Sequence, residues 1–437
     1  MRALARLGAP LLVNNISISG MVFADTVMSG RLNAQALAGL AVGSAYYNIY
    51  LFCATGAMMA FSPAIAHAYG AQADHKVTRY FRQSLWIVLA LAALFFAGLS
   101  QAEWVLRRVG IAPDVVLVAA GFVKAIRWGI PGLLAFYALR YTSEGLGITR
   151  PIMYSAVGGL VLTVLGNWVF IYGNLGFPML GAVGCGVSNA IVMWFMFAVM
   201  LFYVKLHKRY ASFDLFGSFD RPNLRILKEL VLLGLPIVGS LLAEGGLFTA
   251  AALIMGSLGA VTAGAHQIAL NYAAFMFMVP LAVHSATTIH VGHALGRGDR
   301  ISARRAGFVG MSMCAGIMAV SACCILLFDE HIAALYTRDL AVRELASGLL
   351  LMAALFQVSD GLQVGAMGAL RGFKDTAIPM TLAIVSYWLV GFSLAYELGV
   401  QQQRGPIFVW VGLIAGLTTS AILLTTRYWW ISKAENR

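Results

Sequence analysis

The sequence predicts an all-α integral membrane protein with twelve transmembrane helices in two pseudo-symmetric six-helix lobes. Three observations support this fold class: the composition, the number of apolar segments and an internal repeat. Hydrophobic residues make up 60% of the 437 residues, and charged residues only 11%. A soluble domain has about 25% charged residues. The composition therefore excludes a soluble protein and indicates a chain that crosses a membrane many times.

Apolar segments of about 20 residues, long enough to cross a bilayer as helices, recur along the whole chain. We predict twelve spans near residues 7–29, 37–66, 83–103, 118–145, 152–172, 181–203, 229–254, 262–292, 306–328, 344–370, 377–398 and 407–430.

An internal repeat relates the two halves of the chain at an offset of 226 residues. Three clusters recur at this offset. Leu7, Gly8 and Pro10 recur as Leu233, Gly234 and Pro236, and Gly30, Leu32 and Ala34 recur as Gly256, Leu258 and Ala260. The segment HAYG, which begins at His67, recurs as HALG, which begins at His293. A duplicated membrane bundle is a common transporter design. We therefore expect an N-terminal lobe over residues 1–210, a cytoplasmic linker over 211–228 and a C-terminal lobe over 229–437.

The distribution of basic residues predicts the orientation. Of the 30 lysine and arginine residues, most lie at the termini and in the even-numbered connections, which places both termini in the cytoplasm. The formal charge of +12 is spread over short loops beside helix ends, so we expect membrane lipids as partners and no nucleic acid.

Three acidic residues lie well inside predicted spans: Asp25, Glu244 and Asp360. An ionised side chain there costs about 2.5–3.5 kcal/mol on insertion scales, so we expect a function for each. Glu144 is nearer the inner end of its span, where water would reach it. Polar and aromatic side chains in the spans are candidates for lining a substrate cleft; they are Gln267, Asn167, Thr163, Asn189, Asn271, Phe277 and Phe356.

The sequence shows no pattern typical of an enzyme or of a cofactor site. The five cysteines have no metal or redox spacing. The histidines at 266, 284, 290 and 293 lack a carboxylate–histidine metal pattern, and no phosphate-binding glycine loop occurs. We therefore expect no enzyme activity, no cofactor, and an ion gradient as the driving force.

Several segments resemble the multidrug and toxic compound extrusion (MATE) family, in particular its bacterial NorM-like branch. The resemblance covers nearly the whole chain, and its clearest segments are FADTVMSG at 23–30, GITRP at 147–151, NWVFIYG at 167–173, LAE at 242–244, FQVSD at 356–360 and GALRGFKDT at 368–376.

The resemblance implies a multidrug efflux antiporter of the bacterial inner membrane. It implies export of lipophilic organic cations, drugs or metabolites, in exchange for sodium ions or protons, by a multi-pass protein that works as a monomer. The family's functional acids fall on Asp25, Glu244 and Asp360, with a sodium site at Glu244 and Asp360 if sodium is the ion. Gln267 and Asn167 match polar positions that the family uses. Phe277, Phe356 and Thr163 stand where some sodium-coupled relatives have two tyrosines and an asparagine, so the coupling ion stays open.

Three other functions are compatible with a duplicated bundle. The first is a flippase of the same superfamily for a lipid-linked or anionic precursor, which needs basic residues in the cleft; Arg140 is the one candidate. The second is a membrane enzyme such as an acyltransferase, and the segment at His67 lacks the acidic partner that this requires. The third is a passive channel, which an imposed ion gradient would distinguish from an antiporter.

Overall fold

The structure is a computed structural model, and it describes residues 2–218 and 220–433. The predicted cytoplasmic termini include Met1 and residues 434–437, which lie outside the described residues.

Within the described residues, twelve helical segments are long and apolar enough to cross a membrane. We number them in chain order: α1 Arg2–Gly30, α2 Gln35–Gly70, α3 Asp74–Ser100, α4 Pro113–Gly145, α5 Arg150–Phe170, α6 Ala182–Leu206, α7 Leu224–Ser257, α8 Ala260–Gly296, α9 Arg300–Tyr336, α10 Leu340–Gly372, α11 Ala377–Gln401 and α12 Pro406–Lys433. The predicted fold class and number of spans are confirmed. Several helices are longer than predicted; α9 begins at Arg300 instead of residue 306, because the helix continues past its apolar stretch into charged residues.

Several of these segments are not uniform α-helices. In α2 the helix breaks at Ala60, between Ala34–Met59 and Phe61–Gly70. In α4 a 3₁₀ turn at Arg127–Gly129 precedes Pro131, whose ring fits the first turn of the next helix. In α11 two stretches have the wider turns of a π-helix, Val385–Phe392 and Glu397–Gln401.

The chain forms two compact units. The first unit is Val13–Gly234, and the second unit is Met1–Leu12 together with Leu235–Arg437. The lobe boundaries at 1–210, 211–228 and 229–437 stay a prediction.

In the first unit, the connection that follows α6 is held against the start of α3. Arg82 forms ion pairs with Asp214 at 3.3 Å and with Asp220 at 3.0 Å. Thr78 donates a hydrogen bond to the carbonyl oxygen of Phe213, and the Gln83 amide donates to that of Arg221 at 2.9 Å. This connection is therefore a packed part of the first unit.

In the second unit, α11 and α12 approach closely because they meet at glycines. A Cβ atom on Gly416 would lie 2.9 Å from the Cα of Gly391, and one on Gly412 would lie 2.4 Å from the backbone nitrogen of Ala395. The core beside them contains Trp410, which is fully buried. This packing holds the π-helical part of α11 against α12.

Candidate functional site

Asp25 on α1 lies between two amide side chains of the first unit. Asn167 on α5 donates from Nδ2 to Oδ1 of Asp25 at 2.7 Å, and Asn189 on α6 donates to Oδ2 at 2.8 Å. Hydrogen bonds that are donated to a carboxylate favour its charged form. The two amides therefore stabilise a negative charge inside the helical bundle.

Other polar groups of the first unit lie beside Asp25. Thr163 is one turn before Asn167 on α5 and donates to the carbonyl oxygen of Gly159 at 2.9 Å. Asn189 also approaches the Cys185 thiol, at 3.5 Å. The side-chain Oδ1 atom of Asn167 is buried and accepts no hydrogen bond from the described residues. Carboxylate and amide oxygens are the ligands that hard cations prefer, so Asp25 and Asn167 present suitable atoms for one.

Glu244 and Asp360 lie together in the second unit, where the side chain of Gln363 contacts both. Gln363, one turn beyond Asp360 on α10, donates from Nε2 to Oε1 of Glu244 at 3.3 Å and to Oδ1 of Asp360 at 3.1 Å. Asp360 is 5% exposed and Gln363 2%, whereas Glu244 on α7 is partly exposed. The structure therefore brings these two acids to the same amide in one unit.

Hydroxyl groups from α11 and α12 fix the orientation of this amide. Tyr387 and Ser420 both donate to the Oε1 atom of Gln363. The Tyr387 hydroxyl comes from the π-helical stretch of α11, and the neighbouring Trp388 donates to the carbonyl oxygen of Ala243 at 3.1 Å, beside Glu244. Inserted π turns are frequent at functional sites. The site thus collects side chains from α7, α10, α11 and α12.

The site residues predicted from the sequence do not include Gln363, Tyr387 or Ser420. Gln363 carried a usable signal, because a residue three positions after Asp360 lies on the same face of a helix. Tyr387 and Ser420 carried none, since their contact with Gln363 depends on how α11 and α12 pack.

The remaining cleft candidates lie elsewhere in the second unit. Gln267 and Asn271 are exposed one turn apart on α8, and no hydrogen bond between described residues joins them to the acids. Phe277 is partly exposed. Phe356 is 2% exposed and packs against Trp410 with ring centroids 5.7 Å apart. Their role in substrate binding stays a prediction.

Two largely buried basic residues, Arg140 and Arg371, have identifiable partners. Arg140 forms an ion pair with Glu144 at 2.9 Å, and the Glu144 side chain is only 2% exposed. The expectation that water reaches Glu144 is therefore wrong, because α4 is packed at this point. In the second unit, the His284 ring donates from Nδ1 to the carbonyl oxygen of Val364 at 2.8 Å, which leaves Nε2 to accept from Arg371 at 3.0 Å.

Comparison with known proteins assigns the family. A MatE family model matches residues 10–169 and again residues 236–396. The two matches begin 226 residues apart, the offset of the internal repeat.

Curated relatives match along almost the full chain. A protein named Probable multidrug resistance protein NorM, from Xanthomonas axonopodis pv. citri, is 41% identical over 98% of this chain and 93% of its own. Multidrug resistance protein PmpM of Pseudomonas aeruginosa is 38% identical, over 98% of this chain and 91% of its own.

Solved structures share the fold. A crystal structure of a MATE protein in complex with MaL6 superposes with a TM-score of 0.90 at 20% identity, over 99% of this chain and 96% of that one. The two family-model matches and the relatives that match along almost the full chain show that this chain belongs to the MATE family of multi-pass membrane transporters, on its bacterial NorM-like branch.

Proposed function

We propose that this protein exports lipophilic organic cations across the bacterial inner membrane in exchange for sodium ions or protons. The observation that carries the proposal is the arrangement of Glu244 and Asp360, two acids from different spanning helices that share the amide donor of Gln363. The names of the NorM and PmpM relatives support multidrug resistance as the biological role.

The chemistry of the acid pair suits an exchange of cations. A carboxylate pair in an apolar bundle attracts any cation that reaches it, because the surroundings screen charge weakly. A sodium ion or a proton at this pair removes the negative charge that attracts an organic cation. Binding of the ion and of the organic cation therefore weaken each other, and by linkage the effect is equal in both directions.

Asp25 provides a second place where a cation is able to bind. Its donors are two asparagines, whereas the acid pair of the second unit has one glutamine, so the two sites differ in charge and in ligands. We propose that Asp25 binds a cation separately from the pair of Glu244 and Asp360, where the ion and the organic cation compete.

The surroundings of Arg140 support the flippase alternative less well than the acid pair supports cation export. An anionic substrate requires an uncompensated positive charge at its site. Arg140, the residue that favoured this alternative, has Glu144 as its partner and lies against the rings of Tyr137 and Tyr141. Its charge is therefore already neutralised within the first unit.

A binding experiment tests the proposed competition. Ethidium binding to purified protein in lipid nanodiscs is measured by fluorescence anisotropy. The sodium concentration is increased first, with choline replacing sodium to keep the ionic strength constant, and the pH is then lowered in a second series. We expect one of the two ions to displace ethidium, and Asp360→Asn to weaken ethidium binding by about tenfold or more, the loss of one charge-assisted interaction.

Asp114→Asn is the matched control, because Asp114 is an exposed carboxylate at the start of α4. It should leave both affinities unchanged. Ethidium binding that is independent of sodium, of pH and of Asp360 would overturn the proposal.

A further inference from the structure

A basic pocket lies on the second unit, between the start of α9 and the end of α12. It has a volume of about 580 Å³. Four of its lining side chains are basic: Arg300, Arg304 and Arg305 on α9, and Lys433 on α12. No acidic residue is among the described residues that line it. The pocket is separate from Glu244, Asp360 and Gln363, none of which lines it.

The lining of the pocket changes from charged to apolar along α9. The arginines at 300, 304 and 305 are followed, on the same face of the helix, by Phe308 and Val309. Residues four apart lie above one another on a helix, and eight residues cover about 12 Å. The charges lie at the end of the spanning helix and the apolar side chains lie deeper. A phospholipid has the same order, with the phosphate at the membrane surface and the acyl chains below it.

The two helices that form the pocket are fixed to each other. The Tyr428 hydroxyl on α12 donates to the carbonyl oxygens of Ala303 at 3.1 Å and of Arg304 at 3.2 Å. The Tyr428 ring also meets Phe308 edge to face, with centroids 5.3 Å apart. The pocket is therefore formed before any ligand binds, which lowers the entropy cost of binding.

Arg304, Arg305 and Lys433 form no ion pair with another described residue; Asp299, which caps the start of α9, interacts with Arg305 only at longer range. Aromatic rings orient two of the cations: Arg304 lies 5.8 Å from the Phe308 centroid, and Lys433 lies 4.5 Å from that of Trp429. Trp429 and Trp430 are 41% and 65% exposed at this end of α12. Exposed tryptophans at helix ends are typical of the membrane interface. The cations thus lie at the depth of lipid headgroups.

The internal repeat supplies a comparison. At the repeat offset of 226 residues, Arg304 is equivalent to Thr78, and Phe308 is equivalent to Arg82 at the start of α3. In the first unit, that surface is covered by the connection after α6, and its acids Asp214 and Asp220 pair with Arg82. In the second unit, the described residues that line the corresponding surface all belong to α9 and α12. The equivalent surface of the first unit thus already holds negatively charged groups.

We infer that this pocket binds the headgroup of an anionic phospholipid, with the phosphodiester between Arg304, Arg305 and Lys433 and the glycerol end of the acyl chains along Phe308 and Val309. Arginine suits this role because its guanidinium donates in a fork that matches phosphate oxygens. The site does not depend on which substrate the protein transports.

Native mass spectrometry tests the inference on the full chain. Protein in detergent is titrated with phosphatidylglycerol or with phosphatidylcholine of the same acyl chains. We expect one phosphatidylglycerol to bind preferentially, and Arg304→Ala/Arg305→Ala to weaken that binding by about tenfold or more, since each basic residue near a charged headgroup contributes.

Two matched variants separate this site from general charge effects and from misfolding. Arg225→Ala/Lys228→Ala removes the same charge from exposed positions at the start of α7, and it should bind phosphatidylglycerol like the parent protein. Arg304→Lys/Arg305→Lys keeps the charge but loses the fork, so it should bind phosphatidylglycerol more tightly than the alanine variant and less tightly than the parent protein, with an unchanged melting temperature.

Three results would overturn the inference. The first is equal binding of both lipids, which would show that the headgroup charge is not recognised. The second is an equal loss in the Arg225→Ala/Lys228→Ala variant. The third is displacement of phosphatidylglycerol by inorganic phosphate at the same concentration, which would assign the pocket to a soluble anion and leave no role for the apolar end.

Discussion

The side-chain amide of Gln363 forms hydrogen bonds at both its oxygen and its nitrogen, and these bonds determine which of the two atoms faces the acids. The hydroxyls of Tyr387 and Ser420 donate to Oε1, so Nε2 is directed at Glu244 and Asp360. An NH₂ group that donates to two carboxylates occupies part of the place that a cation would take. Under the proposed function, an arriving ion competes with this amide, and Gln363 thereby sets the affinity of the pair.

Replacing Gln363 with leucine tests whether this network holds the site together. We expect Gln363→Leu to lower stability by about 1–3 kcal/mol, because Tyr387 and Ser420 lose a buried acceptor and the acids lose a donor. Thermal unfolding in detergent provides the measurement.

Gln357→Leu is the matched control, since Gln357 is a fully buried glutamine of the same helix whose amide has no hydrogen-bond partner among the described residues. Removing an unsatisfied buried amide should leave stability unchanged or raise it. An equal fall in melting temperature for the two variants would contradict the assigned network.

The ion pair of Arg140 and Glu144 predicts a contrast between single and double variants. Arg140→Met leaves Glu144 buried without its partner and should cost about 3–5 kcal/mol, whereas Arg140→Met/Glu144→Leu should recover most of that loss. Thermal unfolding and a resistance assay measure stability and transport. A double variant that is stable but inactive would instead give Arg140 or Glu144 a role in transport beyond their ion pair.

Single residues show how far the sequence determines the site. The energy of burying a charge in a membrane selected Asp25, Glu244 and Asp360 without any structure, and Asn167 and Asn189 were among the polar candidates. Tyr387 was not found, because a hydroxyl on one helix meets an amide on another only through the rotation and spacing of both helices. Sequence spacing determines neighbours within a helix, not between helices.

The helices themselves were largely predictable, because a span must be long and apolar. Their irregularities were not. The π-helical turns of α11 lie in the apolar segment Val385–Phe392. Nothing in the composition of this segment distinguishes it from an α-helix. The close contact of Gly391 with Gly416 on α12 is a property of the pair, and it becomes visible only when the two helices are packed.

A methyl group at Gly412 tests the packing of α11 on α12. We expect Gly412→Ala to lower stability by about 1–3 kcal/mol, because the new Cβ would lie 2.4 Å from the backbone nitrogen of Ala395. The effect should extend to transport, since α11 carries Tyr387. Thermal unfolding and the resistance assay are the measurements.

Gly316→Ala is the control, as the Cβ at this position of α9 would have no heavy atom within 4 Å. Alanine is the better helix former, by about 0.5–1 kcal/mol, so this variant should be neutral or more stable. If Gly412→Ala were tolerated equally well, the close contact between α11 and α12 would not be a requirement of the fold.

Across the whole molecule, one repeated fold carries two different sites. The family model matches both halves at the repeat offset, yet Asp25 is held by two asparagines and Glu244 pairs with Asp360 through Gln363. Duplication thus preserved the helices while their polar side chains diverged. The repeat was visible in the sequence, whereas the boundaries of the compact units depend on packing.

The central claim is that the acids couple an ion gradient to export, and uphill transport tests it most directly. Ethidium uptake is measured in inside-out vesicles with a sodium or a proton gradient imposed, for the parent protein and for Asp25→Asn, Glu244→Gln, Asp360→Asn and the control Asp114→Asn. We predict uphill uptake under one of the two gradients, lost in the three variants and retained in the control. Uptake that only equilibrates ethidium, or that persists at the parent rate in Glu244→Gln and Asp360→Asn, would contradict the account.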